Sequence, residues 1–199
     1  MCSILVTTKP LSDFEEVNKY LKLRGPDLTN KISINNINFV HNLLHMTGEK
    51  QQQPFIDEDV VCLFNGEIYN YKSFGDFSTD GECLIPLYKE YGANFVQHLD
   101  GEYCVCLIDF KNDLLLISSD VFSTKPIWYS FEQDHFGIAS YESALKMLGF
   151  ESPTKLKANT TETRKLSSFL KTLTTHPVYE FDLKQYKTSF DDWTSAFQE

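Results

Sequence analysis

An α+β fold, with antiparallel sheets and a few helices packed in layers, is what this sequence predicts, and two observations predict it. Four short apolar runs, YCVCLIDF, LLLISSD, PIWYSF and HFGIASY, follow one another between residues 103 and 141 with only turn material such as Lys111-Asn112-Asp113 between them. Consecutive strands joined by short turns pair antiparallel. The helical patterns are few and stand apart from this block, which separates the sequence from a regular βαβ alternation.

Each element follows from its local pattern. CSILVT (2–7) is an apolar run of strand length. Ser12 with Glu15 three residues on is a capping-box pattern, and Phe14, Val17 and Leu21 then share one helical face before Gly25-Pro26 stops the helix. KISINNINFV (31–40) alternates polar and apolar residues, as a half-buried strand does. VVCLFN (60–65) is a further strand, expected to end at Asn65-Gly66, a pair that favours a hairpin turn. A second helix is expected over about 80–91, capped by Thr79 with Glu82, and Pro86 weakens its first turns. SPTKLKANTTETRKLSS (152–168) is polar and reads as loop, VYEFDL (178–183) as a strand, and KTSFDDWTSAFQE (187–199) as a polar, aromatic-containing end. The division expected is a domain over 1–150 and a C-terminal extension or linker over 151–199.

Composition narrows the function classes. A protein of 199 residues with 42% hydrophobic and 14% aromatic residues fills one good-sized core. No apolar run reaches membrane-spanning length and the first residues lack a signal-peptide pattern, so a cytoplasmic location is the default expectation. A net charge of −10 argues against nucleic acid or an anionic membrane as partner. The five cysteines suggest no disulfide framework. Cys104 and Cys106 are too close for a zinc knuckle and point to one strand face, so they are expected in the core. No metal site and no cofactor is expected.

Cys2 raises the chemical question. It is either a strand residue that comes early or, once Met1 is removed, a nucleophile whose own α-amine serves as base. The amine titrates near ~7.7–8.0 and the thiol near ~8.5, so proton transfer between them is feasible near neutral pH. Its company decides. After Met1-Cys2-Ser3-Ile4 come LRGPD (23–27), FNGEIYN (64–70), STDGE (78–82) and LDGEYCVCLID (99–109), with SSDVFSTKPIWY (118–129) and IASYESALKMLG (138–149) later. In this order they resemble the N-terminal glutaminase domain of asparagine synthetase, a class II amidotransferase of the N-terminal-nucleophile (Ntn) hydrolase superfamily, over roughly residues 1–150.

That resemblance implies a four-layer αββα sandwich that hydrolyses the side-chain amide of glutamine to glutamate and ammonia. It implies roles for matching residues. Cys2 attacks the amide carbonyl and forms a thioester. The Asn65 side-chain amide and the Gly66 backbone N–H hold the oxyanion, donors worth roughly 3–4 kcal/mol each in comparable sites. Asp80 binds the substrate α-ammonium, with helix capping as the competing role. Glu67, Leu44 and Met46 fall at substrate-binding positions, and Arg24, Asp27 and Glu67 order the site more than they perform chemistry.

One departure stands out. Where the family's GHxRLSI-like stretch supplies an arginine for the glutamine α-carboxylate, this sequence has VHNLLHM (40–46), so that His41 matches and Leu43 replaces the arginine; QQPF (52–55) restores the pattern. Leucine cannot pair a carboxylate. His45, two residues on, is the best compensating candidate, with Lys22 and Arg24 behind it. The Ser-Gly-Gly-x-Asp-Ser loop of a synthetase domain is absent from these residues, so ammonia is expected to go to an absent or separate synthetase domain or subunit. The alternatives are an altered amide substrate, such as glutamine blocked at its carboxylate, or a non-catalytic scaffold.

Overall fold

The computed structural model describes residues 2–46, 50–182, 184 and 189–198. Twelve strands among them form two six-stranded sheets, antiparallel throughout. The first sheet contains β1 (Ser3–Thr7), β2 (Leu28–Ile34), β3 (Ile37–Leu43), β8 (Trp128–Glu132), β9 (His135–Ala139) and β10 (Thr154–Lys155), in the order β10-β8-β9-β1-β3-β2. The second contains β4 (Phe55–Asp57), β5 (Val60–Ile68), β6 (Gly101–Asp109), β7 (Leu114–Ser119), β11 (Thr160–Lys165) and β12 (Ser168–His176), in the order β12-β11-β7-β6-β5-β4.

The strands alternate in the faces they bury, and this produces the layers. Ile4, Val6 and Phe39 of the first sheet meet Val61, Leu63, Cys104, Cys106 and Ile117 of the second in a core between the sheets. Cys104 and Cys106 are therefore core residues, as their spacing indicated. On the outer side of the first sheet, Leu5, Val40 and Ala139 pack against α1 (Phe14–Arg24) and α3 (Glu142–Met147) through Val17, Leu21 and Leu145. On the outer side of the second, Cys62, Phe64, Val105 and Leu107 pack against α2 (Leu84–Tyr91) through Leu84, Leu87 and Tyr88. The result is helix, sheet, sheet, helix.

A buried polar knot fixes α1 onto the first sheet. The Asn18 and Asn42 amides exchange hydrogen bonds at 3.1 and 2.8 Å, Asn42 Nδ2 also donates to Ser3 Oγ at 3.1 Å, and Ser3 Oγ donates to the Leu21 carbonyl at 2.8 Å. Thr29 closes the knot by donating to Asn42 Oδ1 at 2.8 Å. Each buried polar atom thus gains a partner at the place where β1 begins.

Several local expectations need correction. The Ser12–Glu15 capping box does not form. The Asp13 carbonyl takes the first helical bonds, from the N–H groups of Glu16 and Val17 at 3.1 Å, so the helix starts one residue later. Asn65-Gly66 is not a hairpin turn: β5 continues to Ile68, with Asn65 opposite Cys104 and Gly66 opposite Tyr103. Gly66 sits at φ +153°, and a Cβ there would lie 2.1 Å from the Glu102 carbonyl oxygen, so only glycine fits. The helix expected over 80–91 is divided, with a 3₁₀ turn at Asp80–Cys83 before α2. The break comes ahead of Pro86, which then falls in the first turn of α2, where its missing N–H costs nothing.

The loop expected at 152–168 contains β10, β11 and the start of β12. Threonine explains the misreading: it is polar by composition but β-branched, and its hydroxyls pair across strands. Ser118 and Thr161 hydroxyls meet at 2.8 Å, and Thr163 and Thr174 at 2.6 Å. Arg164 is buried over the Phe131 ring, 4.0 Å from its centroid, with its guanidinium donating to the carbonyls of Phe169 and Leu170. VYEFDL, in contrast, forms no strand over residues 178–182, and Leu183 lies outside the described residues. The Asn159 side chain takes both backbone groups of Tyr179, at 2.8 and 2.9 Å, that a neighbouring strand would need. A short helix, α4 (Asp191–Ala196), follows near the end.

Candidate active site

Antiparallel pairing of β1 with β3 sets Ser3 opposite Asn42, which brings Cys2 to the C-terminal end of β3. Along β3, Ile37 and Phe39 face the space between the sheets, so the period of two puts His41 and Leu43 on that face too. Along β5, Val61 and Leu63 do the same, so Asn65 projects toward the first sheet. Nucleophile candidate, Leu43 and Asn65 therefore converge on one space from three strands.

That space is a cavity of about 430 Å³. Of the residues singled out in the sequence, Cys2, Leu43, Leu44, His45, Met46, Asn65, Gly66, Glu67 and Asp80 all line it. Arg24 and Asp27 do not. Asp27 instead fastens the backbone as it leaves β3, its carboxylate accepting the His45 N–H at 2.7 Å and its own N–H donating to the Leu43 carbonyl at 3.0 Å. Arg24 stands over the Tyr141 ring at 5.6 Å, and its charge reaches the Cys2 thiol.

The electrostatics follow from burial. Burial pushes the Cys2 thiol up, opposed by hydrogen bonding from the Leu44 backbone and by the Arg24 charge; Sγ also makes a long contact with the Leu44 carbonyl, at 3.9 Å. Burial also raises the Asp80 carboxyl above its ordinary range, although the Ile68 N–H donates to it at 2.9 Å. A cation placed beside Asp80 would relieve that cost. Glu82 holds the approach to Asp80 by accepting N–H groups of Ser78 and Thr79 at 2.8 and 3.3 Å, the capping expected for this helix start. Asn65 is buried, and neither atom of its side-chain amide has a partner among the described residues. His41 is neutral near pH 7, because burial lowers its pKa to about 4.

Sequence reasoning missed one pair on the cavity wall. Lys125, 5% exposed, donates to Glu102 at 2.6 Å, and both line the cavity. The Asp120 carboxylate shapes the turn that delivers Lys125, accepting N–H groups of Tyr103, Phe122 and Thr124. The signal lay in SSDVFSTKP, where a lysine follows a turn, but its partner is 23 residues away and only strand pairing brings it near. Among the described residues no group of His, Cys, Asp and Glu is placed to hold a metal ion.

The model of the glutamine amidotransferase domain matches residues 1–182. The chain belongs to that family. Asparagine synthetase (glutamine-hydrolyzing) of Zea mays is 29% identical over 166 residues, covering 74% of this chain and 28% of the relative. Amidase chyE of Penicillium rubens is 30% identical over 141 residues, covering 64% of this chain and 21% of the relative. This amidotransferase domain thus spans about a quarter of the length of the curated relatives it matches. Its fold is shared with glutamine phosphoribosylpyrophosphate amidotransferase from B. subtilis, at a TM-score of 0.57 and 16% identity over 72% of this chain and 35% of that one. An allosteric regulatory enzyme of purine biosynthesis gives a TM-score of 0.60 at 14% identity, over 90% and 43%. The αββα sandwich is therefore that of the Ntn amidotransferases. No helix among the described residues is long and apolar enough to cross a membrane.

Proposed function

We propose that this domain hydrolyses the side-chain amide of glutamine through Cys2, freed of Met1. The observation that carries the proposal is the Asn65 amide, buried and without a partner among the described residues, on the wall of the cavity that holds Cys2. Native proteins rarely leave both atoms of a buried amide unpaired, and such a group has a use when a ligand arrives. In the proposed reaction the Cys2 α-amine takes the thiol proton as Sγ bonds to the amide carbon. Negative charge moves to the carbonyl oxygen, which accepts from Asn65 Nδ2 and the Gly66 N–H. The proton passes to the leaving nitrogen, the C–N bond breaks and ammonia departs. Water then adds to the thioester, its proton returns to sulfur through the amine, and the C–S bond breaks to give the carboxylic acid. Asp80 meets the substrate α-ammonium, which explains why a carboxylate is kept in a place where burial raises its pKa.

Glutamate and ammonia are the products when glutamine is the substrate. Delivery of ammonia to an acceptor domain or subunit is supported by the asparagine synthetases among the relatives, which extend well beyond the matched region. Leu43 favours a second reading in which the site takes an amide other than free glutamine. The test is ammonia release from glutamine by protein whose mass establishes loss of Met1. Cys2→Ala should reduce the rate to background. Unchanged release by Cys2→Ala would refute the thioester mechanism, and no release by processed protein from any amide offered would leave a scaffold.

A further inference from the structure

The cavity is suited to one end of free glutamine and hostile to the other. Its ammonium end holds Asp80. Its lining also carries Leu43, 9% exposed, at the position where the resemblance would set the α-carboxylate, followed by Leu44 and by Met46 at the mouth. A free carboxylate entering against Leu43 would lose water, and the leucine side chain offers no hydrogen-bond donor in return.

The surrounding charges do not offset that cost. Asp80, Glu67 and Glu102 all line the cavity. Lys125 is there, but Glu102 already holds it at 2.6 Å. His45 stands at the exposed rim, where an ion pair stays hydrated and contributes little. Arg24 is not on the wall. Glu102 and Lys125 thus offset each other, Glu67 is exposed as His45 is, and Asp80 serves the ammonium, so among the described wall residues the one buried cation, Lys125, is already engaged.

A glutamine whose α-carbonyl is tied in an amide bond removes the conflict. It keeps the side-chain amide for Cys2 and the α-ammonium for Asp80, and it places a neutral group beside Leu43. A volume of about 430 Å³ lies within the ~300–1,000 Å³ typical of sites for drug-sized ligands, leaving space beyond a single amino acid. Met46 and Tyr69, 68% and 59% exposed, give the next residue an apolar surface at the mouth.

We propose that the substrate is a glutamine at the N-terminus of a peptide, converted with one water to the peptide beginning with glutamate and ammonia. The proposal rests on the amide-hydrolase reading of Cys2. The peptide bond is untouched: the bond between the amide carbon and its nitrogen breaks, and the new bond from that carbon to sulfur is then replaced by one to the oxygen of water.

The experiment compares glutamine, glutaminyl-leucine and N-acetyl-glutaminyl-leucine with processed protein. Cys2→Ala controls for the spontaneous cyclisation of N-terminal glutamine, and product mass distinguishes the glutamyl peptide from the cyclised form. Glutaminyl-leucine should exceed glutamine by at least about tenfold in kcat/KM, mostly through KM, and the acetylated peptide should fall well below it. Leu43→Arg should narrow that gap by lowering KM for glutamine. Glutamine used as well as or better than glutaminyl-leucine overturns this inference and leaves the amide-hydrolase reading standing. Ammonia from neither, by protein with Cys2 at its terminus, overturns both.

Discussion

Single residues in this domain separate cleanly into those whose removal would affect chemistry and those whose removal would affect folding. Asn65 belongs to the first kind. Its amide makes no internal hydrogen bond among the described residues, so Asn65→Ala should leave the melting temperature unchanged or slightly raised. The same substitution should lower kcat for amide hydrolysis by about 10²–10³-fold, as loss of an oxyanion donor does. Thermal melting and initial rates on one sample test both halves. His41 belongs to the second kind. Its folded pKa of about 4 lies below the ordinary 6.5, so the unfolded state binds more protons between those values. The stability that neutral His41 contributes is therefore complete above pH 6.5 and is lost as pH falls toward about 4. The loss should be about 3 kcal/mol. Urea titrations at several pH values should show it, and His41→Gln should flatten the slope over that window.

At the scale of elements, the exit of β3 sets the part of the cavity wall built by Leu43, Leu44, His45 and Met46. Residues 44–46 have left the strand, and the Asp27 carboxylate holds the His45 N–H from across the turn after α1. Asp27→Ala should raise KM by about 3–10-fold through a looser wall. Stability should shift by no more than about 1 kcal/mol, because the bond is exposed. A rise in KM with kcat preserved would identify Asp27 as a positioning residue, and an unchanged KM would remove that role. The turn was legible as RGPD in the sequence, but its partner was not. The hydrogen bond spans 18 residues and depends on β2 pairing with β3 in a register that sets Leu28 opposite Leu43.

For the whole molecule, the polar segment after residue 152 decides whether the second sheet is complete. β11 covers β7 along its length, and the Ser118 hydroxyl has its partner on Thr161. A protein ending at Ser152 should lose its cooperative unfolding transition, since the apolar edge of β7 would be opened to water. One ending at Asp182 should melt within a few degrees of the parent. α4 has only six residues, too short to stabilise itself, and Phe190, Trp193 and Phe197 are exposed. Calorimetry on the two truncations tests this, and equal behaviour would place the end of the folding unit elsewhere.

What the sequence determined by itself was local or patterned: the apolar runs that became β1, β5, β6, β7, β8 and β9, the core placement of Cys104 and Cys106, and the motifs around Cys2, FNGEIYN and STDGE. The runs are legible because a strand buried on both faces is apolar without interruption. Tertiary structure alone decided that Asn65-Gly66 lies within a strand, because β6 approaches Gly66 too closely for any side chain. It also decided that Thr160–Lys165 is a strand, because threonine hydroxyls find their partners only across a sheet. Finally, it set Leu43, Lys125 and three carboxylates around one cavity. The charges gather along the second sheet, where β5 and β6 pair Glu67 opposite Glu102, and closure of the first sheet adds Leu43; no spacing along the sequence encodes that sum.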